Sequence, residues 1–316
     1  MKRLIVLSIP MAVMVLVAAL AHAQSPAPDL KPTFISPTPG LFVNGWPAFT
    51  VSYPKEWGEA PLAPGNLFAA GVAHPDIAPG VYLPLLRVSV VTNVSPLEDW
   101  AKGTMPFMLR IYTDLKVLSD KPSQLKDGTP AREAEWEGVL KYDAALGSIK
   151  NGPKISNFVL ITKKDLAWIQ ITLIDDKKIG EGLKRIAYSL TFQPGREAPV
   201  NVPPDVRAFL DMYCTDVASG DAQTIMAHFS DRFLFSGTNK AFMEQWLRSD
   251  PASPIQKDVI SEEPTVTVFE PRGDKAYVDG FFLMRAKGDA NALKTPMSFQ
   301  QIIKENGEWK WYGNQK

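Results

Sequence analysis

The chain has 316 residues, with 34 Lys and Arg against 34 Asp and Glu, 45% hydrophobic residues and a single cysteine. This composition excludes wholesale disorder, which needs low hydrophobicity or high net charge. It also argues against nucleic acid as a partner, because phosphate affinity comes from clustered cations, and it leaves Cys214 no internal disulfide partner. At roughly 100 to 200 residues per domain, the length predicts two globular domains.

Lys2 and Arg3 precede an apolar run from Leu4 to Leu20, and Ala21-His22-Ala23 supplies the small-x-small pattern of a signal peptidase site. Residues 1–23 are thus predicted to be a secretory signal cleaved before Gln24, which places the mature protein in the periplasm or outside the cell. An uncleaved anchor is the alternative, but the run is short for a span and carries Ser8 and Pro10. No later stretch approaches about 18 uninterrupted apolar residues, so no membrane span is expected after cleavage. The mature chain would hold 32 basic against 34 acidic groups and two histidines, His74 and His228. Residues 24–40 are proline-rich and read as a leader, and 194–203 are broken by Pro194, Pro199 and Pro203. The predicted domains are therefore 41–193 and 204–316, each expected to fold by itself.

In the first domain Phe49, Val51 and Tyr53 alternate with polar residues, as do Leu86, Val88 and Val90, the period of half-buried strands. Ser95-Pro96-Leu97-Glu98 reads as a capping box opening a helix with Leu97, Trp100, Ala101, Thr104, Met108 and Ile111 on one face. Strands are predicted at 115–118, 131–142, 155–162 and 167–173, the last two turned at Lys163-Lys164-Asp165. Ile179, Leu183, Ile186 and Leu190 then fall at helical spacing. The class is α+β, an antiparallel sheet with helices. The stretches Phe49-Thr50-Val51-Ser52-Tyr53-Pro54-Lys55-Glu56-Trp57, the acidic strand around Trp136, and Ile186-Ala187-Tyr188-Ser189-Leu190-Thr191-Phe192 resemble PsbP-like domains. That resemblance implies a fold and a binding or assembly role, with no catalytic residue to carry over.

The second domain opens with a helix carrying Val206, Phe209, Leu210, Tyr213 and Val217 on one face and ending at Ser219-Gly220. Asp221 caps a second helix, expected to run through Phe229. Phe233 to Ser236 reads as strand or turn, and a third helix from Lys240 to Arg248 projects Phe242 and Trp246 together. Strands are predicted near 259–269, 276–285, 297–304 and 309–312, the last pair joined by the hairpin signal Asn306-Gly307. Three helices ahead of a curved antiparallel sheet make a cone. Ala218-Ser219-Gly220-Asp221, His228-Phe229-Ser230-Asp231, Ala276-Tyr277-Val278-Asp279-Gly280 and Lys304-Glu305-Asn306-Gly307-Glu308-Trp309-Lys310-Trp311 resemble the nuclear transport factor two-like superfamily, with its SnoaL-like proteins and ketosteroid isomerase. The fold hosts enzymes, binding proteins and assembly modules alike.

The isomerase chemistry needs a carboxylate base, and an oxyanion site made by a tyrosine and a neutral acid. The resemblance places Tyr213 at the tyrosine position, Gly237 at the base and Phe299 at or near the acid, so two of the three groups are missing. His228 is either a proton carrier or a partly buried histidine bonded to a backbone carbonyl, and no acid at a definite spacing names itself as its partner. The expected pocket is lined by Tyr213, His228, Phe229, Phe233, Trp246, Tyr277 and Trp311. His74 reads as a loop residue, and no metal-ligand or cofactor motif is present, so no metal and no cofactor are expected. Cys214 sits on a core helix, where an inert thiol is the usual state. Arg248 to Pro254 reads as a connection or a lid at the mouth of the cone.

The function expected from these residues is that of an exported, non-catalytic binding or assembly protein of the bacterial envelope. Its partner would be a protein or a small apolar ligand, with a homodimer through the C-terminal sheet as a further expectation. The alternative is an isomerase- or hydrolase-like enzyme using the cone. An inward carboxylate within reach of Tyr213 or His228 would favour the enzyme, and a pocket filled by Trp side chains would favour assembly.

Overall fold

The computed structural model describes residues 40–60, 66–76, 81–92, 96–143, 147–148, 152–165, 167–235, 238–249, 259–288, 290, 292–297 and 299–313. The predicted signal peptide, the predicted leader up to Pro39, Ser95 of the predicted capping box, Gly237 and the stretch from Asp250 to Pro254 lie outside these residues. The protein is α+β, with antiparallel sheets. Its chain divides into two units. One is built from Phe49–Phe192 with residues 40–43, the other from Asn44–Ala48 and the described part of Gln193–Gln315.

The N-terminal unit contains β1 (Leu41–Asn44, its last residue passing to the other unit), β2 (Phe49–Ser52), β3 (Gly58–Glu59), β4 (Phe68–Ala73), β5 (Tyr82–Thr92), α1 (Trp100–Ile111), β6 (Tyr112–Gln124), β7 (Pro130–Leu140), β8 (Tyr142–Asp143), β9 (Gly147–Ser148), β10 (Lys154–Lys164), β11 (Ala167–Asp175), α2 (Glu181–Ala187) and β12 (Thr191–Phe192). Its main sheet runs β3-β4-β5-β11-β10-β7-β6, and β1-β2-β12 form a smaller one. The β10–β11 hairpin turns where the sequence predicted, with Lys164 opposite Ala167 and Asp165 at φ 52°, a value that Asp tolerates better than most residues. Side chains alternate across each strand, so one face of the sheet carries Phe158, Leu160, Ile169 and Ile171. Phe42, Phe49 and Val51 of the small sheet and Ile186 and Ala187 of α2 bury that face. The opposite face carries Trp136, against which Trp100 of α1 packs at 6.2 Å, with its Nε1 donating to Gln170.

Three expectations change in this unit. The strand predicted at 115–118 extends over 112–124, because an exposed edge strand with two bulges shows little apolar alternation. The helix predicted from the spacing 179–190 occupies only 181–187, with Ile179 and Leu190 buried on its flanks. Pro96 caps a short 3-10 turn at 97–99, with no side-chain cap bond.

The C-terminal unit contains α3 (Pro204–Ser219), α4 (Ala222–Ala227), β13 (Phe229–Phe235), β14 (Thr238–Asn239), α5 (Lys240–Ser249), β15 (Val259–Arg272), β16 (Lys275–Ala286), β17 (Leu293–Pro296), β18 (Gln301–Glu305) and β19 (Glu308–Gly313). Pro204 starts α3, where its missing N–H is not needed, and Gly220 ends it at φ 71°. Asp221 caps α4 by accepting from the amides of Gln223 and Thr224. The sheet runs β14-β13-β19-β18-β16-β15, with β17 paired to β16, and β13 is parallel to β19. Asn306 and Gly307 make the turn between β18 and β19 at φ 53° and 89°.

Here the second helix stops at Ala227, and Phe229 begins β13 in register with Trp311. The strand predicted over 297–304 begins only at Gln301, as β18, and β17 at Leu293–Pro296 lies ahead of the predicted range. On α5 the deeper residues are Met243 and Leu247, with Phe242 and Trp246 half-buried beside them.

Candidate functional site

α3 lies over β15 and β19 and directs Phe209 and Tyr213 at the sheet. Register fixes which strand residues they meet. Trp311 is opposite Ile302, Ile302 is opposite Ala276, and Phe229 is beside Trp311, so these four share one face. Trp311 has 0% exposure, with Tyr213 at 5.6 Å, Phe209 at 5.3 Å, Phe299 at 5.5 Å and Phe282 at 6.4 Å between ring centres. Phe229 adds Phe233 at 4.9 Å and Phe299 at 5.1 Å. Most of these pairs are edge-to-face, the arrangement that aromatic quadrupoles favour. The cone interior is therefore an aromatic core.

Five of the seven sequence-predicted site residues meet there: Tyr213, His228, Phe229, Phe233 and Trp311. Trp246, half-buried on α5, has no ring contact with them among the described residues. Tyr277 is corrected outright. It is buried, but it follows Ala276 on β16 and so faces the opposite side of the sheet, opposite Gln301.

Burial pushes the Tyr213 phenol well above its usual range, and its hydroxyl bonds to no described residue. The Cys214 thiol accepts a hydrogen bond from Ser261 at 3.3 Å, and burial raises its pKa to about 11, which keeps it protonated. Nε2 of His228 pairs with the Asp216 carboxylate, and the imidazole packs on Tyr213 at 5.7 Å and Phe209 at 5.8 Å. His228 thus has the acid partner that spacing did not reveal. Asp216 stands one turn after Tyr213 on the flank of α3 and is itself partly exposed, so the pair lies at the rim. Phe299 packs edge-to-face on Phe233 at 5.4 Å and on Trp311 at 5.5 Å.

The opposite face of β16 holds a group the sequence reading missed. The Asp279 carboxylate is fully buried. Its Oδ2 accepts from the amides of Gly45 and Trp46, both at 3.1 Å, and from the Tyr277 hydroxyl at 3.2 Å; Oδ1 accepts from the amide of Gly280 at 2.7 Å. Burial outweighs these four donors and raises its pKa to about 7. Trp46 packs on Phe281 at 5.1 Å, the Ala48 amide donates to Glu197 at 3.0 Å, and the Gln193 amide donates to the Ala48 carbonyl at 2.8 Å. A signal existed: Asp279 is the sole charge in the run Ala276 to Met284. No signal marked Asn44–Ala48 as its partner.

In the N-terminal unit the acidic strand β7 is internally neutralised. Burial alone would raise the Glu133 carboxyl, but the Tyr188 hydroxyl and Lys121 hold it below its usual value, and Lys184 pairs with Glu135. Among the described residues no group of three or more His, Cys, Asp or Glu could hold a metal ion, and no helix is long and apolar enough to cross a membrane.

No protein-family model matches the chain, and no curated protein matches it. Among solved structures, cyanobacterial PsbP (CyanoP) from Synechocystis sp. PCC 6803 is similar at 12% identity and a TM-score of 0.35, over 49% of this chain and 94% of that one. A Bacteroides thetaiotaomicron protein is similar at 13% identity and a TM-score of 0.33, over 86% of this chain and 89% of that one. LpqN of Mycobacterium tuberculosis, involved in cell envelope biogenesis, is similar at 16% identity and a TM-score of 0.29, over 46% of this chain and 83% of that one. Part of the chain is distantly similar to PsbP and LpqN. At these values no activity passes from those proteins to this one.

Proposed function

We propose that this chain is an exported, non-catalytic assembly protein of the bacterial envelope, in which a PsbP-like unit and a nuclear transport factor two-like cone serve a protein partner. The observation that carries this reading is the filled cone: Trp311 and the rings around it occupy the volume where a cone enzyme would hold its substrate. Chemistry there lacks its groups. The resemblance would put an aromatic, at or near Phe299, where the isomerase acid belongs, Cys214 stays a thiol, and Asp279 is on the other face. The export component rests on Lys2, Arg3, the apolar run and Ala21-His22-Ala23.

A second reading has one observation in its favour. The His228–Asp216 pair has the form of an oriented general base, and an enzyme could use it with Tyr213. Titration with an apolar fluorescent probe, 1-anilinonaphthalene-8-sulfonate, separates the two. A filled cone gives no saturable site on the folded protein. A saturable one-to-one site that is lost in His228→Gln, with melting unchanged, would transfer the proposal to the enzyme.

A further inference from the structure

Asp279 takes no part in the reading above, yet it is a carboxylate buried at 3% exposure in the C-terminal unit. A carboxylate at this depth is ordinarily matched by a cation. Asp279 has no ion pair among the described residues, and neutral donors converge on it instead. Two of those donors are main-chain amides of Asn44–Ala48, a segment remote in sequence, brought so close that a Cβ on Gly45 would run into the carboxylate. We propose that Asp279 is a proton-controlled latch: in its neutral form it holds Asn44–Ala48 against β16, and ionisation loosens that hold.

The neighbourhood leaves the proton on Asp279 as the deciding one. Asn44–Ala48 contribute no charge. From β16 the near titratable groups are Tyr277, itself raised well above its usual value by burial, and Lys275 at the strand end. From β15 they are Glu270 and Arg272, opposite Tyr277 and Lys275. From β18 it is the neutral Gln301. Glu197 faces Ala48 and is occupied by its amide. When Asp279 is protonated, its hydroxyl has the Tyr277 oxygen as acceptor. When it is ionised, the same site holds an anion without a counterion.

Release of the segment exposes the carboxyl to water, where it titrates near 3.8, whereas in the latched state it titrates at about 7. A group whose pKa is raised in the closed state stabilises that state fully below the open-state value and loses the effect as pH rises through the closed-state value. The opening equilibrium is accordingly flat below about pH 4, grows roughly tenfold per pH unit from about 4 to 7, and is flat again above.

The test is amide hydrogen exchange of the full chain, resolved to Gly45 and Trp46 and corrected for intrinsic rates, at pH 5 to 8, with the amides of β10 as reference. Protection of Gly45 and Trp46 should fall roughly tenfold per unit up to about pH 7 and then level. Asp279→Asn, which cannot ionise, should abolish the slope. A flat profile in the unmodified protein overturns the proposal even if Asp279→Asn does not fold. A slope that persists in Asp279→Asn overturns it as well.

Discussion

Tyr213 separates a chemical from a structural cone more sharply than any other residue. The Tyr213 side chain is buried as a whole and its hydroxyl bonds to no described residue, so Tyr213→Phe removes no hydrogen bond to the described protein. Thermal denaturation should show unchanged or slightly higher stability, and a loss above about 2 kcal/mol would mean that the hydroxyl has a partner. Gly45 makes the opposite case. Any side chain there meets the Asp279 carboxylate, so Gly45→Ala should destabilise by roughly 1 to 3 kcal/mol through overpacking, read from a urea unfolding curve. At this scale the sequence was readable for Tyr213 on its helix and Trp311 on its strand, whose apolar spacing reports which face they occupy, but not for Phe229, which was expected in a helix and lies in β13. It was not readable for Tyr277: Tyr277 and Phe282 are both buried, and a strand covered on both faces carries no alternation to say which ring points inward.

Among the elements, β19 sustains the cone, because its Trp311 meets α3, β16 and the turn residue Phe299 at once. Trp311→Ala should cost roughly 3 to 5 kcal/mol in equilibrium unfolding. A cost below about 1 kcal/mol would show that the ring borders open space. The short helix α4 depends on its cap. Asp221→Ala removes an acceptor for two helix amides and should lower the melting temperature, a loss that Asp221→Asn largely reverses. Elements bounded by local chemistry were legible: Gly220 ends α3, Asp221 starts α4, and Asn306-Gly307 turns β18 into β19. Elements defined by partners were not. β6 is an edge strand whose length comes from pairing with β7, and β13 takes Phe229 from the preceding helix because β19 offers it a parallel neighbour.

On the scale of the whole molecule, two units follow from the Pro194–Pro203 break, but the composition of the second does not. Asn44–Ala48 belong to it, and so does the stretch in which the Val200 amide donates to the Val266 carbonyl. A fragment of residues 203–316 lacks both. It should therefore melt below the C-terminal transition of the full chain and bind 1-anilinonaphthalene-8-sulfonate through the uncovered Phe281, and identical melting with no probe binding would contradict this. The central claim, that the cone is filled by its own rings and serves a protein partner, is tested most directly by native mass spectrometry of the protein purified from its own host. The account predicts a chain that begins at or near Gln24, carries no small molecule, and is found with a second protein at fixed stoichiometry. A stoichiometric small molecule released only on unfolding would contradict it.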